Sequence, residues 1–223
     1  MKTILNREAP GVSVIDLFAD APAGQPYRCA YLLASYANWF SPGTVFLCVI
    51  DPGVGGQRAP VIISADNRWY VGPDNGMFEC VLRRAMRSEC RRITLQPATL
   101  SASFHGRDLF APIAAILARG GAPPCAPHVP VRFPAWPDDL AEIVYIDHYG
   151  NAITGLRASA VAPTAQCGVS GGVLVRARTF SDLPPGDAFW YENSNGLMEI
   201  AVNGGRAADV LRLVIGSPVR VLP

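Results

Sequence analysis

The chain has 223 residues, half of them apolar, and its 19 basic and 18 acidic side chains leave a formal net charge of +1. This length suffices for one large domain or two small ones with stable cores. The near-neutral charge gives no indication of a nucleic-acid or acidic-membrane partner, and no apolar run reaches the ~20 residues that span a bilayer.

Helices and strands are predicted to alternate through the first half of the chain. Apolar residues at helical spacing predict a helix over residues 27–39. The apolar run at 45–50 predicts a buried strand that stops at an Asp-Pro-Gly turn. The alternation indicates an α/β fold, in which residues 1–125 form a layered domain with a mostly parallel sheet. Its other predicted elements are strands at 60–65, 68–71 and 92–95 and helices at 77–86 and 108–118.

The composition changes after residue 120. Six prolines fall between residues 120 and 138, too many for a helix or a central strand. Residues 126–139 are therefore predicted to form an extended linker between domains. Short β-type segments with Gly, Pro and Asn turns then predict a smaller all-β barrel or sandwich over residues 140–223. Its predicted strands are 142–146, 172–180, 188–191, 197–202, 210–215 and 219–222.

Two segments of the first domain place polar side chains that could take part in catalysis at the ends of apolar elements. Asp51 directly follows a predicted strand, at the edge where open α/β sheets bind their ligands. Asp108 can cap the next predicted helix, which would place His105 and Arg107 just before its N-terminus. An acid, a base and a guanidinium at one sheet edge are the parts of an active site. The alternative is that Asp51 and Asp108 only cap turns and that Arg58 is a surface residue.

Five segments follow one another in a fixed order. Together they resemble the SAM hydroxide adenosyltransferases, also called S-adenosylmethionine hydrolases, which are relatives of the fluorinating and chlorinating enzymes. The resemblance runs from about residue 2 to the C-terminus. It implies that water attacks the ribose C5′ of S-adenosyl-L-methionine and releases adenosine and L-methionine. The segments are DPGVGGQR (51–58), YVGPDNG (70–76), FHGRD (104–108), YIDHYGNAIT (145–154) and ENSNGLMEIAVN (192–203).

The resemblance assigns the activation of water to Asp51, Arg58 and His105. A carboxylate beside a guanidinium can orient a water molecule and stabilise developing hydroxide. Asp51 distinguishes attack by water from attack by halide, because the halogenating relatives carry a different residue at this position. Aspartate here favours a water-using enzyme, and a halide transferase is the less favoured alternative.

The resemblance also implies a set of substrate contacts. Tyr149 replaces the usual phenylalanine and keeps an aromatic face on which adenine can stack. Asn151 offers both a donor and an acceptor to the adenine edge. The implied substrate-binding residues are Asp51, Asp147, Tyr149, Asn151, Ser194, Glu199 and Val202.

One departure from the family pattern concerns the start of the chain. Family members begin with a strand that ends in a Thr/Ser-Asp-Phe-Gly motif, and its aspartate holds the ribose hydroxyls. No Asp-Phe-Gly occurs near the start of this sequence. The missing strand motif leaves a second interpretation open, a protein that binds adenosine or S-adenosylmethionine without catalysis.

The expected partners and location follow from the same resemblance and from composition. The resemblance implies a homotrimer whose pocket lies at the subunit interface, where the N-terminal domain of one subunit meets the C-terminal domain of its neighbour. No cofactor, metal, nucleic acid or membrane is expected, and the sequence has no cluster of metal-ligand residues. Six scattered cysteines without a CxxC pair, and an N-terminus without the apolar core of a secretory signal, favour the cytoplasm.

Overall fold

The structure is a computed structural model that describes residues 1–223. The chain divides into two compact units, Met1–Pro134 and Ala135–Pro223. None of the helices combines the length and apolar character needed to cross a membrane. The elements of the first unit are α1 (Lys2–Glu8), α2 (Pro26–Tyr36), β1 (Val45–Leu47), β2 (Pro60–Ala65), β3 (Arg68–Pro73), α3 (Glu79–Arg84), β4 (Ser88–Ile93), α4 (Ala111–Ala118) and β5 (Cys125–Pro127).

The first unit contains a five-stranded sheet in the order β1-β3-β2-β4-β5. Only β1 and β3 run parallel, and the other three pairings are antiparallel. The layered α/β class is confirmed, but the expectation of a mostly parallel sheet is wrong. The reason is the connection between β2 and β3, where Asp66 and Asn67 both have positive φ angles of 45° and 63°. A two-residue turn of this kind matches strand twist and closes an antiparallel hairpin.

Both faces of the sheet are buried at its central strand, β2. Along β2, Ile62 lies on one face and packs with Ile113 of α4, while its neighbours Val61 and Ile63 lie on the other face. All three β2 side chains are at most 2% exposed. The sheet is therefore a rigid support from which β1 emerges toward Asp51.

The proline-rich segment is bound to the first unit by hydrogen bonds to two buried carboxylates. The backbone N–H of Val131 donates to Asp74, and Arg132 donates to Glu79. The strand β5 also pairs with β4. The first unit thus extends to Pro134, and most of the segment expected to form a linker lies within it.

The second unit is an all-β unit, as expected, with one short helix. Its sheet has seven strands in the order β12-β8-β9-β10-β11-β7-β6. The elements are β6 (Leu140–Ile146), β7 (Ala152–Arg157), β8 (Gln166–Val169), β9 (Gly172–Arg176), β10 (Ala188–Glu192), β11 (Leu197–Val202), α5 (Ala207–Val210) and β12 (Arg220–Leu222).

The last residues of the chain link the two edges of this sheet. β12 pairs with β8 at one edge. Just before β12, the N–H of Val219 donates to the carbonyl of Ala141 on β6, at the opposite edge, over 2.9 Å. The N–H of Ile143 likewise donates to the carbonyl of Ser217 over 2.9 Å. These bonds curl the sheet toward a barrel around a core that includes the fully buried Trp190.

Two differences from the predicted strands have local causes. Residues 210–215 are not a strand: α5 ends at Val210, and Arg212 takes a positive φ of 53° that breaks an extended conformation. β7 was missed because Gly155 interrupts its apolar pattern. That glycine is required, since a Cβ there would lie 2.7 Å from the Cβ of Leu140.

Glu79 provides a test of how the first unit is stabilised. The residue is only 2% exposed. Its carboxylate accepts hydrogen bonds from Arg132, Arg83 and the N–H of Phe133. Burial alone would raise the pKa of Glu79, but these bonds outweigh it and lower the pKa below its ordinary value of 4.5. The stabilisation is therefore present above pH 4.5 and lost as the pH falls through the pKa of the folded state.

We expect Glu79→Gln to lower the free energy of unfolding at pH 7 by about 3 kcal/mol, because two arginines lose a buried partner. When the pH is lowered from 7 to 3.5, the free energy of unfolding should also fall less for the variant than for the wild type. Urea unfolding at pH 7 and pH 3.5 measures both effects. The matched control is Glu89→Gln, an exposed partner of Arg91, whose loss should cost under about 1 kcal/mol. Equal effects of the two substitutions would contradict this account.

Candidate active site

Asp51 follows β1 in the chain, but β1 ends at Leu47, three residues before the end of the predicted strand at 45–50. The chain stays extended after Leu47, and the N–H of Cys48 donates to the carbonyl of Val71 over 2.9 Å. A tight turn follows, in which Gly55 has a φ of +79°. A Cβ on Gly55 would lie 2.8 Å from the carbonyl oxygen of Ala102. Glycine is thus needed to turn the chain back and bring Arg58 beside Asp51.

Asp51 and Arg58 form a buried, two-pronged ion pair. Nε of Arg58 lies 3.1 Å from Oδ1 and 3.0 Å from Oδ2 of Asp51, and Nη2 also contacts Oδ2. The two side chains are only 4% and 11% exposed. The guanidinium carbon also lies 5.5 Å from the centroid of the Phe110 ring. The alternative that Arg58 is a surface side chain is therefore wrong.

His105 completes the group, because its Nδ1 lies 2.9 Å from Nη2 of Arg58. A guanidinium can only donate hydrogen bonds, so Nδ1 must be the acceptor. The ring proton of His105 is then on Nε2, and the imidazole is neutral. The structure thus brings Asp51, Arg58 and His105 into one hydrogen-bonded row.

The backbone around His105 differs from the expected helix cap. A π-helical turn, Gly106–Phe110, precedes α4, so Asp108 lies inside this turn and caps nothing. Its carboxylate instead accepts from the N–H of Ser101 over 2.8 Å. Arg107 pairs with Asp108, and this bond, followed by that from Ser101, lowers the pKa of Asp108 to about 2. Arg107 therefore belongs to a separate surface pair and not to the row.

A second group of predicted residues surrounds the loop that joins β6 to β7. The N–H and side-chain amide of Asn151 donate to Oδ1 and Oδ2 of Asp147, over 2.8 and 3.2 Å. The loop is fixed from outside by Arg206, which donates to the carbonyl of His148 over 2.7 Å. At its tip the ring of Tyr149 is exposed, with 73% of the residue accessible to solvent.

Glu199 is buried beside this loop, only 4% exposed. Its carboxyl accepts from the hydroxyl of Tyr191 over 2.5 Å and from the amide of Asn193 over 2.9 Å, and it is hydrogen-bonded to the side chain of Asn151. Burial raises the pKa of Glu199, against the opposing effect of these donors. Asn151 thus connects the carboxyl groups of Asp147 and Glu199.

Tyr191 and Asn193 were not predicted as partners of Glu199. Tyr191 lies directly opposite Glu199 in the antiparallel pairing of β10 with β11. The loop of this hairpin has three residues, 194–196, since the N–H of Asn193 donates to the carbonyl of Leu197 over 2.9 Å. A two-residue Asn195-Gly196 turn would instead have placed Glu192 opposite Glu199, so the turn signal alone could not have found Tyr191.

The structure does not bring every predicted residue into this group. Ser194 is exposed, and its nearest side-chain partner is the amide of Asn195 at 3.5 Å. Val202 is 2% exposed and belongs to the core around Trp190. Because strand residues alternate between faces, Val202 points away from the face of β11 that carries Glu199.

No group of three or more His, Cys, Asp or Glu side chains is arranged to hold a metal ion. Two groups of polar side chains in this structure are arranged so that they could take part in catalysis or binding. The first is a neutral row of acid, guanidinium and imidazole. The second is a pair of carboxyl groups linked by Asn151, beside a loop whose tip carries an exposed aromatic ring.

Comparison with known families matches both parts of the chain. The profile of the SAM hydroxide adenosyltransferase N-terminal domain matches residues 1–126, and that of the C-terminal domain matches residues 141–220. A protein from Thermus thermophilus, named (R)-S-adenosyl-L-methionine hydrolase, is 39% identical over 100% of this chain and 92% of its own. A protein of the same name from Salinispora arenicola is 37% identical over 98% of this chain and 89% of its own.

Solved structures share the fold. The crystal structure of an uncharacterized conserved protein from Thermotoga maritima superposes with a TM-score of 0.87 at 26% identity, covering 100% of this chain and 93% of that one. The crystal structure of a conserved hypothetical protein from Thermus thermophilus superposes with a TM-score of 0.73 at 36% identity, covering 99% of this chain and 92% of that one.

The bonds of Asn151 predict a stability effect. Asn151→Ala removes a donor shared by two carboxyl groups, and we expect the free energy of unfolding to fall by about 1–3 kcal/mol. Urea unfolding of the wild type and the variant measures this difference in the free energy of unfolding. The matched control is Asn195→Ala, which removes only a long, exposed contact to Ser194. Unfolding curves that coincide for the two variants would show that Asn151 does not hold the group together.

Proposed function

The chain belongs to the family of SAM hydroxide adenosyltransferases, and we propose that it hydrolyses S-adenosyl-L-methionine to adenosine and L-methionine. The observation that carries the proposal is the row formed by Asp51, Arg58 and His105 at the end of β1. This row contains a carboxylate, which can accept a hydrogen bond from water, and an imidazole N–H, which can donate one to it. The names of the full-length relatives support the same reaction.

The proposed reaction is an in-line displacement. The oxygen of water forms a bond to the ribose C5′ while the bond from C5′ to sulfur breaks. The bonding electrons remain on sulfur, which changes from a sulfonium cation to the neutral thioether of methionine. One proton leaves the attacking water. Because the leaving group is already activated, the protein needs mainly to position and polarise the water.

Each member of the row has a distinct proposed role. Asp51 accepts a hydrogen bond from the attacking water and then its proton. Arg58 fixes the carboxylate in place through its two hydrogen-bonding nitrogens, and compensates for charge as the water becomes hydroxide-like. His105 presents its Nε2–H to the water oxygen, since its Nδ1 already accepts from Arg58.

The second group is proposed to bind the substrate. The exposed ring of Tyr149 offers a surface on which adenine can stack. The carboxylate of Asp147 suits a cationic ligand such as the sulfonium or the amino group of the methionine part. Asn151 and Glu199 hold this loop in place, and Ser194, on the exposed turn between β10 and β11, is a further proposed contact.

We further propose a homotrimer with the substrate pocket at a subunit interface, located in the cytoplasm. Large apolar side chains on the first unit are exposed, including Trp39 at 71% and Met86 at 90%. Such surface favours association. All six cysteines are free thiols, which suits a reducing compartment. Light scattering at micromolar concentration should give three times the chain mass of 23.8 kDa. A monomeric mass would reject the trimer.

Product analysis tests the reaction. We expect the purified protein to convert S-adenosyl-L-methionine into equal amounts of adenosine and methionine by chromatography. In ¹⁸O-labelled water the label should appear in the 5′-hydroxyl of adenosine. Methylthioadenosine or S-adenosylhomocysteine as the only product would contradict the proposal. A 5′-halogenated product in chloride or fluoride would identify a halide transferase, and binding without turnover would identify a non-catalytic binder.

We expect Asp51→Asn to lower kcat by about 10²–10³-fold, because the water loses its ionised acceptor. KM should change much less, since most of the proposed binding contacts come from other residues. The matched control is Asp139→Asn, which breaks another two-pronged aspartate–arginine pair, with Arg157. The control should keep kcat within a few-fold of the wild type. A turnover of Asp51→Asn within threefold of the wild type would reduce Asp51 to a turn residue.

A further inference from the structure

The turn at Asp74 and Asn75 holds the chain on both sides of the ion pair. The side-chain amide of Asn75 donates to the carbonyl of Ile50 over 2.8 Å, and Ile50 immediately precedes Asp51. The backbone N–H of Asp74 donates to the carbonyl of Ala59 over 2.8 Å, and Ala59 immediately follows Arg58. Two consecutive residues of one turn thus fix both ends of the segment that carries Asp51 and Arg58.

The turn is itself held rigidly. The carboxylate of Asp74 is 5% exposed and lies 2.9 Å from Nε2 of His128. It also accepts from the backbone N–H of Val131. The other end of the Asn75 amide accepts from the N–H of Met77 over 3.3 Å, which closes the turn. Asn75 is therefore presented to Ile50 from a fixed support on the proline-rich segment.

We propose that Asn75 is a positioning residue for Asp51, which acts by fixing the Ile50 carbonyl and thereby the direction of the Asp51 carboxylate. The inference rests on the proposed hydrolysis and extends it to a residue that touches neither the water nor the substrate. Its physical basis is that Asp51 begins a glycine-rich turn, which holds its own position poorly. A displacement of about 1 Å at a reacting group can cost up to ~10²-fold in rate.

The competing explanation is that Asn75 only closes its own turn through Met77. Under that explanation its removal lowers stability and leaves the chemistry of the folded protein unchanged. The two explanations differ in two measurable quantities, kcat and the tautomer of His105. They also differ in whether the effect of Asn75 depends on the presence of the Asp51 carboxylate.

The experiment compares Asn75→Ala and Asn75→Ser with the wild type. Serine can still accept from a nearby backbone N–H in the turn, but it is too short to reach the carbonyl of Ile50, so it separates the two bonds of Asn75. The matched control is Asn203→Ala in the second unit. Asn203 also donates its side-chain amide to a backbone carbonyl, that of Leu183, over 2.7 Å. Each variant is first checked by thermal unfolding and assayed below its melting temperature.

We expect both Asn75 variants to lower kcat by about 10- to 100-fold with KM within threefold, and Asn203→Ala to keep kcat within twofold of the wild type. In an Asp51→Asn background, Asn75→Ala should lower kcat by less than twofold, because the two residues act through one group. A loss of kcat of the same size in both backgrounds would overturn the proposal. So would a kcat within twofold of the wild type in the Asn75 variants.

Nitrogen NMR of the ring of His105, one of only three histidines in the chain, gives a readout that needs no turnover. The wild type and Asn203→Ala should show Nδ1 without a proton and Nε2 with one. The Asn75 variants should shift toward a mixture of tautomers as Arg58 and Asp51 lose their fixed position. If the wild type does not hydrolyse S-adenosyl-L-methionine, the proposed function fails, and the His105 spectra alone decide the positioning role. Unchanged spectra in the Asn75 variants would then overturn it.

Discussion

The interaction on which the first unit depends is the donation of the Arg58 guanidinium to Asp51 on one side and His105 on the other. A guanidinium carries donors and no acceptor, so one side chain fixes both the orientation of the aspartate carboxylate and the tautomer of the histidine. The pair is almost fully buried, where a single unpaired charge would be costly. The three residues therefore behave as one unit, and changing any one alters the state of the others.

The three residues of the row can meet only if the loops that carry them approach one another closely, and the surrounding backbone allows this. Gly55 turns the chain against the carbonyl of Ala102, and a Cβ on Gly106 would lie 3.2 Å from a methyl carbon of Val49. Both glycines allow two loops to approach the end of β1 from different parts of the sequence. Asn75 then ties the residue before Asp51 to the sheet. The row is thus held by backbone contacts from three segments rather than by one loop alone.

The residues that could be predicted from sequence are those whose local pattern determines their place. The apolar run at 45–50 followed by Asp-Pro-Gly predicted Asp51 at the end of a strand, and the order of motifs predicted its grouping with Arg58 and His105. The direction of the sheet was not predicted correctly, because the two-residue turn at Asp66 and Asn67 was not weighed as a hairpin signal. The bond from Asn75 to Ile50 could not be predicted, since it joins residues 25 apart whose contact depends on strand pairing.

The two groups of side chains differ in the hydrogen-bond partners of their buried carboxyl groups, which are charged in the first group and neutral around Glu199 in the second. This difference fits the proposed chemistry. In the first unit one negative and one positive charge cancel beside a neutral imidazole, which suits an uncharged reactant such as water. In the second unit Glu199 has neutral donors as its hydrogen-bond partners, and burial raises its pKa. Asp147 lies next to it, on the loop whose tip carries the exposed ring of Tyr149. A cationic ligand that stacks on this ring gains a favourable electrostatic interaction that the first group does not offer. The sulfonium of the proposed substrate is such a cation, and it loses its charge when the bond to C5′ breaks. Under the proposed binding mode, adenosine would keep the stacking contact without the attraction of the sulfonium to Asp147, and this loss would favour its release.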